Sequence, residues 1–577
     1  MRHILLICLL AATVLCTSSS RVVYVNTVFP QHSVSTRYQF YSLPYCRPPK
    51  LILKLMSLGE VLQGHRYIAS PYQIPFKMDV PKTPICTSDK PIPVKGLRKF
   101  IKAVDNEYWH EMMLDDLPMW GPVGFINSQK TPSIYTDFHF YIFYNQDDVV
   151  GVNVTLSKTH SFPLPRNDLS PVHIPFSYQV TWLPTKVQYD QRFDIYGSAL
   201  TSSMKIHWFS IINSTSLVII GVVLMTGVLL RVLRKDVMRY NKASEALPTS
   251  LTIDEFDLQG WKSISPDVFR PPKKLSFLIA FVATGLQLLS TLALSLIVRL
   301  FFSSSLKPYA GSSVSLLLFL FVLSSSIGGT ISGYLYKRIG GKDYALNLVV
   351  QSVLYSVPAL FIIFSLSFIA LGSNVTHSLS FSTVLLLVSL LLFVSFPLSI
   401  VTGLASRKFT PTFSPPVKVS PYPKPIPGQP WFRSRKAFGV VAGLLPFSAI
   451  FLELSFVMSS FWSNNIYQLY GVLVVIAISL LVVVISVTLV LTYFQLSAGD
   501  YRWWTSAFFY GGSTAIFVWF YCLLYYIRSE MSGTFQFFYF IGYTFLGCYG
   551  LYLILGSVAW MAVFVFINKA YGSIKTD

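Results

Sequence analysis

Long apolar runs dominate the chain after residue 208, and short polar segments separate them. The nine runs begin near residues 209, 275, 314, 346, 380, 438, 466, 504 and 538. A helix crosses the hydrocarbon core of a bilayer with about 20 predominantly apolar residues, and each run is long enough to do so. The pattern therefore predicts a nine-helix transmembrane domain at residues 208–567, followed by a short polar tail at residues 568–577.

The chain before residue 208 shows two other patterns. Residues 1–20 carry Arg2 and His3, then an apolar core and several small residues, which is the layout of a signal peptide. Cleavage is the favoured interpretation, and an uncleaved anchor is the alternative. Residues 21–207 contain short segments rich in β-branched and aromatic residues, namely VVYVNTVF, FHFYIFYN and VVGVNVTLS. The predicted fold class is an α-helical polytopic membrane protein with an N-terminal β-rich domain.

Composition agrees with a polytopic membrane protein and excludes a wholly soluble one. Of the 577 residues, 53% are hydrophobic and only 12% are charged, whereas a soluble protein has about 25% charged residues. A net charge of +20 would suit nucleic-acid binding if it formed one basic surface. The charge is instead spread over short loops between the apolar runs, so nucleic-acid binding is the weaker interpretation.

The distribution of lysine and arginine predicts the orientation. Most of the positive charge follows the first, third, fifth and seventh runs, at Arg231, Arg234, Lys235, Arg239, Lys337, Arg338, Lys342, Arg407, Lys436 and Arg502. The opposite loops hold little beyond Arg299, Lys307 and Arg528. Because positively charged loops stay in the cytosol, we expect the N-terminal domain in the lumen and the C-terminus in the cytosol.

A luminal location bears on the cysteines and on one asparagine. Of the six cysteines, Cys46 and Cys86 alone lie in the N-terminal domain. We expect a disulfide between them, with two buried free thiols as the alternative. The spacing of Cys and His residues does not indicate a zinc site. Asn153 begins the sequon Asn-Val-Thr and is a predicted glycosylation site.

Glu453 is the most informative residue of the membrane-spanning part, because it lies near the middle of the sixth apolar run. A charged group there is costly and is expected to face protein or water. Pro446 in the same run frees a backbone carbonyl and can kink the helix, so the two residues predict a polar groove that binds client helices. One alternative is a structural hydrogen bond to a neighbouring helix, which the lack of a second charged partner favours. The other is a proton or ion pathway.

A polar cluster formed by Asp500, Arg502, Trp503 and Trp504 precedes the eighth run. Tryptophan beside an ion pair at the end of a span is typical of a membrane-interface anchor, and a lipid-headgroup or regulatory site is the alternative. Nucleophile-elbow, zinc-protease, P-loop and dinucleotide-binding motifs are not found in a suitable setting. The sequence thus predicts a non-enzymatic protein with no cofactor and no metal.

Several ordered blocks of the chain resemble the nonaspanins, the transmembrane 9 or endomembrane protein 70 superfamily. The blocks are VYVNTVFP, FYSLPYC, LGEVLQGHRYIASPY, LDDLPMWGPVG, LYKRIGGK, LLPFSAIFLELSFVMSSFW, TYFQLSAGDYRWW and the terminal YGSIKTD. They follow one another in family order from the N-terminal domain to the last residue, which makes the resemblance far more specific than a single motif.

The resemblance implies a multi-pass protein of Golgi and endosomal membranes that sorts other membrane proteins, notably clients with glycine-rich transmembrane segments. Lys575 and Asp577 match the family's C-terminal signal, which the COPI coat reads. The implied partners are the lipid bilayer, client membrane proteins and the COPI coat. The alternative functions are a transporter or channel that uses Glu453, and an adhesion or phagocytosis receptor that acts through the luminal domain.

Overall fold

The computed structural model describes residues 21–33, 35–85, 91–164, 166, 170–193, 208–245, 261–301, 311–411, 419–462 and 470–572. The predicted signal peptide, Cys86 and the C-terminal residues Lys575 and Asp577 lie outside these ranges. Within them, the part before residue 194 is built mainly from β-strands, and the part after residue 207 is mainly helical.

The strands of the N-terminal domain confirm the predicted β-rich fold. They are β1 Arg21–Pro30, β2 Tyr38–Gln39, β3 Ile68–Ile74, β4 Val80–Pro84, β5 Tyr108–Leu114, β6 Leu117–Pro122, β7 Gly124–Ile126, β8 Pro132–Tyr135, β9 Asp137–Asn145, β10 Asp148–Leu156, β11 Ser161–Pro163 and β12 Ser177–Pro184. The three segments singled out in the sequence form β1, β9 and β10.

These strands form three sheets around one apolar core. In the first sheet β1 pairs with β2 and β3 on one side and with β5 on the other, and β6 follows β5. The second sheet has the order β10-β9-β12-β4, and its β9–β12 pair is parallel. The third has the order β11-β8-β7. Alternate residues of β9, namely Phe138, Phe140 and Ile142, are buried, as the period of a half-buried strand requires.

Two helices complete the described N-terminal domain. Helix α1, Leu58–Leu62, begins with a capping box between Ser57 and Glu60, which satisfies two backbone N–H groups that lack intrahelical acceptors. Helix α2, Val94–Asp105, buries Leu97, Phe100 and Val104 against the core. The spacing of these apolar residues is that of an amphipathic helix. The sequence interpretation nevertheless missed α2.

The helices after residue 207 confirm the predicted polytopic membrane fold. They are α3 Trp208–Glu245, α4 Ser265–Val268, α5 Leu275–Phe301, α6 Ser312–Arg338, α7 Tyr344–Val353, α8 Ser356–Gly372, α9 Phe381–Leu390, α10 Phe396–Phe409, α11 Arg435–Trp462, α12 Tyr470–Ser497, α13 Trp503–Arg528 and α14 Thr534–Gly572. Within the described ranges, nine helical segments are long and apolar enough to cross a membrane, with α7–α8 and α9–α10 each counted as one.

Proline explains why two of these spans are interrupted. Pro358 has no N–H for the carbonyl of Leu354, where α7 and α8 are separated, and the hydroxyl of Tyr549 donates to that carbonyl instead at 3.0 Å. Pro397 follows a π-helical turn at Leu391–Ser395, which joins α9 to α10. A wider turn relieves the clash between a proline ring and the carbonyl four residues earlier.

Small residues in the run SSSIGGTISG hold α6 close to its neighbours. A Cβ atom added at Gly329 would lie 2.1 Å from the carbonyl oxygen of Ser399 in α10. Beside this contact, Gln351 donates to the side-chain oxygen of Gln287 at 2.9 Å, and the Ser399 hydroxyl donates to Gln351. Close backbone approach and satisfied polar side chains both stabilise helix association in a membrane.

The N-terminal domain lies directly on the membrane domain. The backbone N–H of Gly59 in α1 donates to the Ser315 hydroxyl of α6 at 3.0 Å. Arg66 donates to the carbonyl of Ser378, in the loop between α8 and α9, at 2.8 Å. The backbone N–H of Thr376 in that loop donates to the carbonyl of Arg37 at 2.8 Å. These contacts fix the domain to the start of α6 and to the loop between α8 and α9.

Candidate functional site

Pro446 and Glu453 occupy one face of α11. The residues Pro446, Ile450 and Glu453 recur at intervals of four and three, and all three are buried, Glu453 with only 5% of its surface exposed. Residues at this spacing share a helix face. The carboxylate therefore faces protein, as a charged group within a span is expected to do.

A groove lies beside this face, between α3, α11 and α12. It has a free volume of about 130 Å³. Its lining is Leu217, Gly221, Val222, Met225, Leu445, Ser448, Ala449, Val483, Ser486 and Val487. We call it the α3 groove.

The α3 groove is chemically apolar even though two serines line it. The Ser448 hydroxyl donates to the carbonyl of Leu445, and the Ser486 hydroxyl donates to the carbonyl of Val482, each at 2.8 Å within its own helix. Hydroxyls that are satisfied in this way add little polarity to a helix surface. The α3 groove is therefore apolar, and Glu453 lies one helical turn beyond its lining residue Ala449, so a polar groove around Glu453 stays a prediction.

Helix α3 closes the groove from the periphery of the bundle. In the most apolar stretch of α3, 6% of the residues are buried. The corresponding shares are 33% in α11 and 61% in α14. Most side chains of α3 therefore face away from the protein. Val218 is buried in a core with Ala442 of α11 and Val487 of α12, and Val222 and Met225 pack against that core. The groove thus lies under a helix that the rest of the bundle holds by few contacts.

The cluster at the start of α13 is buried at its two tryptophans, whereas the Arg502 side chain is 62% exposed. The Arg502 guanidinium donates to Asp500 at 2.9 Å, as the sequence suggested. The indole N–H groups of Trp503 and Trp504 both donate to the carbonyl of Val268, at 2.9 and 3.3 Å, and the two side chains are buried. The anchor interpretation is corrected for the two tryptophans, because their rings contact α4 and α14 rather than the membrane surface.

The remaining predicted residues have separate places. Cys46 is disulfide-bonded, but Cys86 lies outside the described part of the chain, so their pairing stays a prediction. Asn153 is exposed on β10, and its glycosylation stays a prediction. Lys575 and Asp577 are not among the described residues. Among the described residues, no group of three or more His, Cys, Asp or Glu side chains is arranged to hold a metal ion.

Sequence reasoning missed a buried polar cluster in the N-terminal domain. The Glu111 carboxylate accepts hydrogen bonds from Arg37 at 2.6 Å and from Asn26 at 2.9 Å, and the His65 ring lies 2.7 Å from the Asn26 amide. Burial lowers the pKa of His65 to about 4. The sequence does show Asn26 and Glu111 as polar residues within mostly apolar strands, which indicates buried polar groups. It does not show that the two strands pair, because they are far apart along the chain.

Comparisons with known proteins decide the family. The family described as Endomembrane protein 70 matches residues 37–534. The chain belongs to the endomembrane protein 70, or transmembrane 9, superfamily. It is 36% identical over 565 residues to transmembrane 9 superfamily member 3 of Arabidopsis thaliana, covering 96% of this chain and 93% of that protein.

Other relatives of this superfamily cover a similar length. Transmembrane 9 superfamily member 1 of Mus musculus is 34% identical over 571 residues, which is 96% of this chain and 93% of that protein. A protein of Dictyostelium discoideum named putative phagocytic receptor 1b is 32% identical over 518 residues, which is 87% of this chain and 86% of that protein. No solved structure matches the chain.

Proposed function

We propose that this transmembrane 9 superfamily protein is a non-enzymatic sorting factor of Golgi and endosomal membranes. It binds transmembrane segments of client proteins at the α3 groove. The observation that carries the proposal is an apolar groove within the membrane domain, under a peripheral helix and one turn away from a buried carboxylate. The family's description as an endomembrane protein supports the location.

The dimensions of the α3 groove indicate how a client binds. A free volume of about 130 Å³ admits a few side chains but not a whole helix. A client segment therefore lies along the outer surface of α3 and α11 and inserts side chains between them. Glycine in the client favours this arrangement, because small residues let two helix backbones approach closely in a membrane. A client-binding role for Glu453, one turn further along α11, requires that its buried carboxylate becomes accessible when the client packs against this helix.

The remaining parts of the chain set the location of the protein. The positive charges after the first, third, fifth and seventh spans favour an orientation with the N-terminal domain in the lumen and the tail in the cytosol. The tail then presents Lys575 and Asp577 to the COPI coat, which retains the protein in the Golgi. The glycosylation of Asn153 follows from the same orientation.

The test compares two glycines of the same helix. Gly221 lines the α3 groove and Gly227 does not, and an added Cβ would meet no atom within 4 Å at either position. Gly221→Leu fills the groove and is expected to change the surface level of membrane proteins with glycine-rich spans. Gly227→Leu is expected to leave those levels unchanged. Quantitative surface proteomics in cells that lack the endogenous protein measures both.

Two further variants distinguish the residues that set the location of the protein from the residues that bind its clients. Lys575→Ala combined with Asp577→Ala is expected to move the protein out of the Golgi. Glu453→Gln is expected to keep the location and to mis-sort the clients. Unchanged client levels in both Gly221→Leu and Glu453→Gln contradict the sorting proposal, and a proteoliposome flux assay on Glu453→Gln then tests the transporter alternative.

The name of one relative favours a second function. The Dictyostelium protein is named a putative phagocytic receptor, and the N-terminal domain of this chain presents an exposed surface above the bundle. In a receptor of this kind, the full-length protein at the cell surface increases particle binding. Replacement of the N-terminal domain abolishes that effect, while Gly221→Leu leaves it intact.

A further inference from the structure

A histidine of the membrane domain is enclosed where the N-terminal domain rests on the bundle. His377, in the loop between α8 and α9, packs against the rings of Phe535 and Tyr539 of α14, at centroid distances of 5.6 and 4.9 Å. Gly64 of the N-terminal domain lies on another side, where an added Cβ would come within 2.8 Å of the imidazole. The His377 ring is buried, and its Nδ1 atom has no hydrogen-bond partner among the described residues. A positive charge on this ring would therefore lose most of its solvation.

The charged side chains that act on His377 are cationic. The Arg66 guanidinium of the N-terminal domain donates to the carbonyl of Ser378 at 2.8 Å. The backbone N–H of Thr376 donates to the carbonyl of Arg37 at 2.8 Å. The residues before and after His377 are thus each bound to an arginine of the domain. Burial opposes protonation of His377 most strongly, and the positive charges of Arg37 and Arg66 oppose it further.

A second buried histidine, His65, immediately follows the glycine that contacts His377. Its ring stacks on Tyr67 at 5.5 Å, and one ring nitrogen lies 2.7 Å from the Asn26 amide. The one carboxylate that favours a proton on His65 is Glu111, which accepts from Asn26 at 2.9 Å and is already paired with an arginine at 2.6 Å. Burial outweighs this carboxylate, so the docked ring is neutral.

We propose that acidification of the lumen releases the N-terminal domain from the bundle at the junction, which residues 64–66 and 376–378 form. Docking keeps His65 and His377 out of water, and release lets both rings take up protons. Burial lowers the pKa of the docked His65 to about 4 and that of the docked His377 to about 3, whereas a hydrated histidine titrates near 6.5. Between pH 6.5 and 4 the released state binds more protons, so a fall in pH favours release.

The two histidines make this response steep. Between about pH 7 and pH 5, each ring increases the equilibrium constant for release about 20–25-fold, and both together increase it about 500-fold. One pair works in the opposite direction, since a protonated His32 of the domain attracts Glu530 of the bundle at 3.3 Å. These two side chains are 45% and 87% exposed, and an exposed pair contributes little. Release uncovers the loop between α8 and α9 and the start of α6.

The test is hydrogen exchange of the full-length protein in nanodiscs at about pH 7 and pH 5, with each rate corrected for the pH dependence of chemical exchange. The amide of Thr376, which donates to the domain in the docked state, is expected to exchange about 500-fold faster at pH 5 in the wild type. Amides of β9 inside the domain are expected to keep their protection. His65→Gln and His377→Gln are each expected to leave a 20–25-fold increase, and the double variant none. The matched control is His173→Gln, at an exposed position, which keeps the wild-type response.

Three results overturn the proposal. The first is a wild type whose corrected Thr376 exchange is the same at both pH values. The second is a double variant that keeps the full increase, because other groups then drive release. The third is loss of protection in β9 together with Thr376, because the domain then unfolds instead of separating.

If the glutamine variants do not fold, the wild type decides by the steepness of its response. Uptake of two protons raises the release constant by on the order of 50–100-fold per pH unit near pH 5. A rise above about ten-fold per unit requires more than one proton and supports the proposal, and a smaller rise excludes it. The luminal location of the domain rests on the proposed function. The exchange experiment contains no client protein, so its failure is distinct from a failure of the sorting proposal.

Discussion

At the scale of single residues, Gly329 and Gly333 set the distance between α6 and α10. An added Cβ would lie 2.1 Å from the carbonyl oxygen of Ser399 at Gly329 and 2.2 Å from that of Gly403 at Gly333. We expect Gly329→Ala to lower the free energy of unfolding by about 1–3 kcal/mol, since the two backbones must separate. Thermal unfolding in detergent measures the change. Gly547→Ala is the control, because an added Cβ there meets no atom within 4 Å. Equal effects of the two substitutions would contradict the close-packing argument.

Trp503 supports a second prediction at this scale. Its indole N–H donates to the carbonyl of Val268, and its side chain is fully buried. Trp503→Phe is expected to lower the free energy of unfolding by about 2 kcal/mol, because a hydrogen bond and contact area are lost together. Trp431→Phe is the control, since that ring is 82% exposed. The same unfolding assay compares them, and the idea fails if the exposed site is as sensitive as the buried one.

The two tryptophans also show what a sequence does not contain. A pair of tryptophans at the end of a span looks the same whether the rings face lipid or protein. The deciding partner, Val268, precedes Trp503 by 235 residues, and only the packing of α4 against α13 and α14 brings it near. Glu453 differs, because the cost of a charge in lipid predicts its burial without knowledge of its neighbours.

At the scale of elements, the interrupted span α7–α8 supports a test of how proline is accommodated. The Tyr549 hydroxyl is the donor to the Leu354 carbonyl that Pro358 cannot serve. Tyr549→Phe is expected to cost about 1 kcal/mol of stability, because that carbonyl loses its partner. In a Pro358→Ala background the backbone supplies an N–H, so the same substitution is expected to cost much less. A double-mutant cycle measures the coupling. Additive effects would show that Tyr549 does not replace the missing donor.

The presence of the membrane-spanning helices was predictable from the sequence, but their internal breaks and their contacts with one another were not. Apolar length predicted all nine spans, because each helix must satisfy its own backbone in lipid. The breaks at Leu354 and at the π-helical turn depend on neighbouring helices. Among the glycines of the last span, a Cβ added at Gly556 would lie 2.9 Å from the carbonyl oxygen of Phe508, but one added at Gly547 would meet no atom within 4 Å. A glycine shows that close approach is permitted, not that it occurs.

At the scale of the whole molecule, the N-terminal domain and the bundle join through groups that are distant in the sequence. Arg37 pairs with Glu111 inside the domain, and its carbonyl accepts from Thr376 of the bundle. The ring of His377 lies between Phe535 and Tyr539 of α14 and against Gly64 of the domain. The sequence predicts a boundary between the two parts at residues 207 and 208. It contained no periodic signal for the contact between them, because such contacts come from loops.

This junction and the core behind it predict how stability depends on pH. Burial lowers the pKa of His65 to about 4 and the pKa values of His110 and His377 to about 3, whereas an unfolded histidine titrates near its ordinary value of about 6.5. Between pH 6.5 and 4 the unfolded state therefore binds more protons than the folded state. Stability is complete above about pH 6.5 and falls as the pH decreases toward 4, by an amount on the order of 3 kcal/mol for His65 alone.

Substitution of His110 tests how much a single buried histidine contributes to this pH dependence. Its ring is buried against Phe40 and Phe138, and among the described residues neither ring nitrogen has a hydrogen-bond partner. His110→Leu is therefore expected to reduce the slope of unfolding free energy against pH by up to one proton, or about 1.4 kcal/mol per pH unit. Denaturant unfolding of the full-length protein between pH 4 and 7 measures the slope. His173→Leu, at an exposed position, is the matched control and is expected to keep the wild-type slope. A wild-type slope in His110→Leu would mean that the buried ring does not resist protonation, and that the acid sensitivity arises at His65 and His377, where the N-terminal domain meets the bundle.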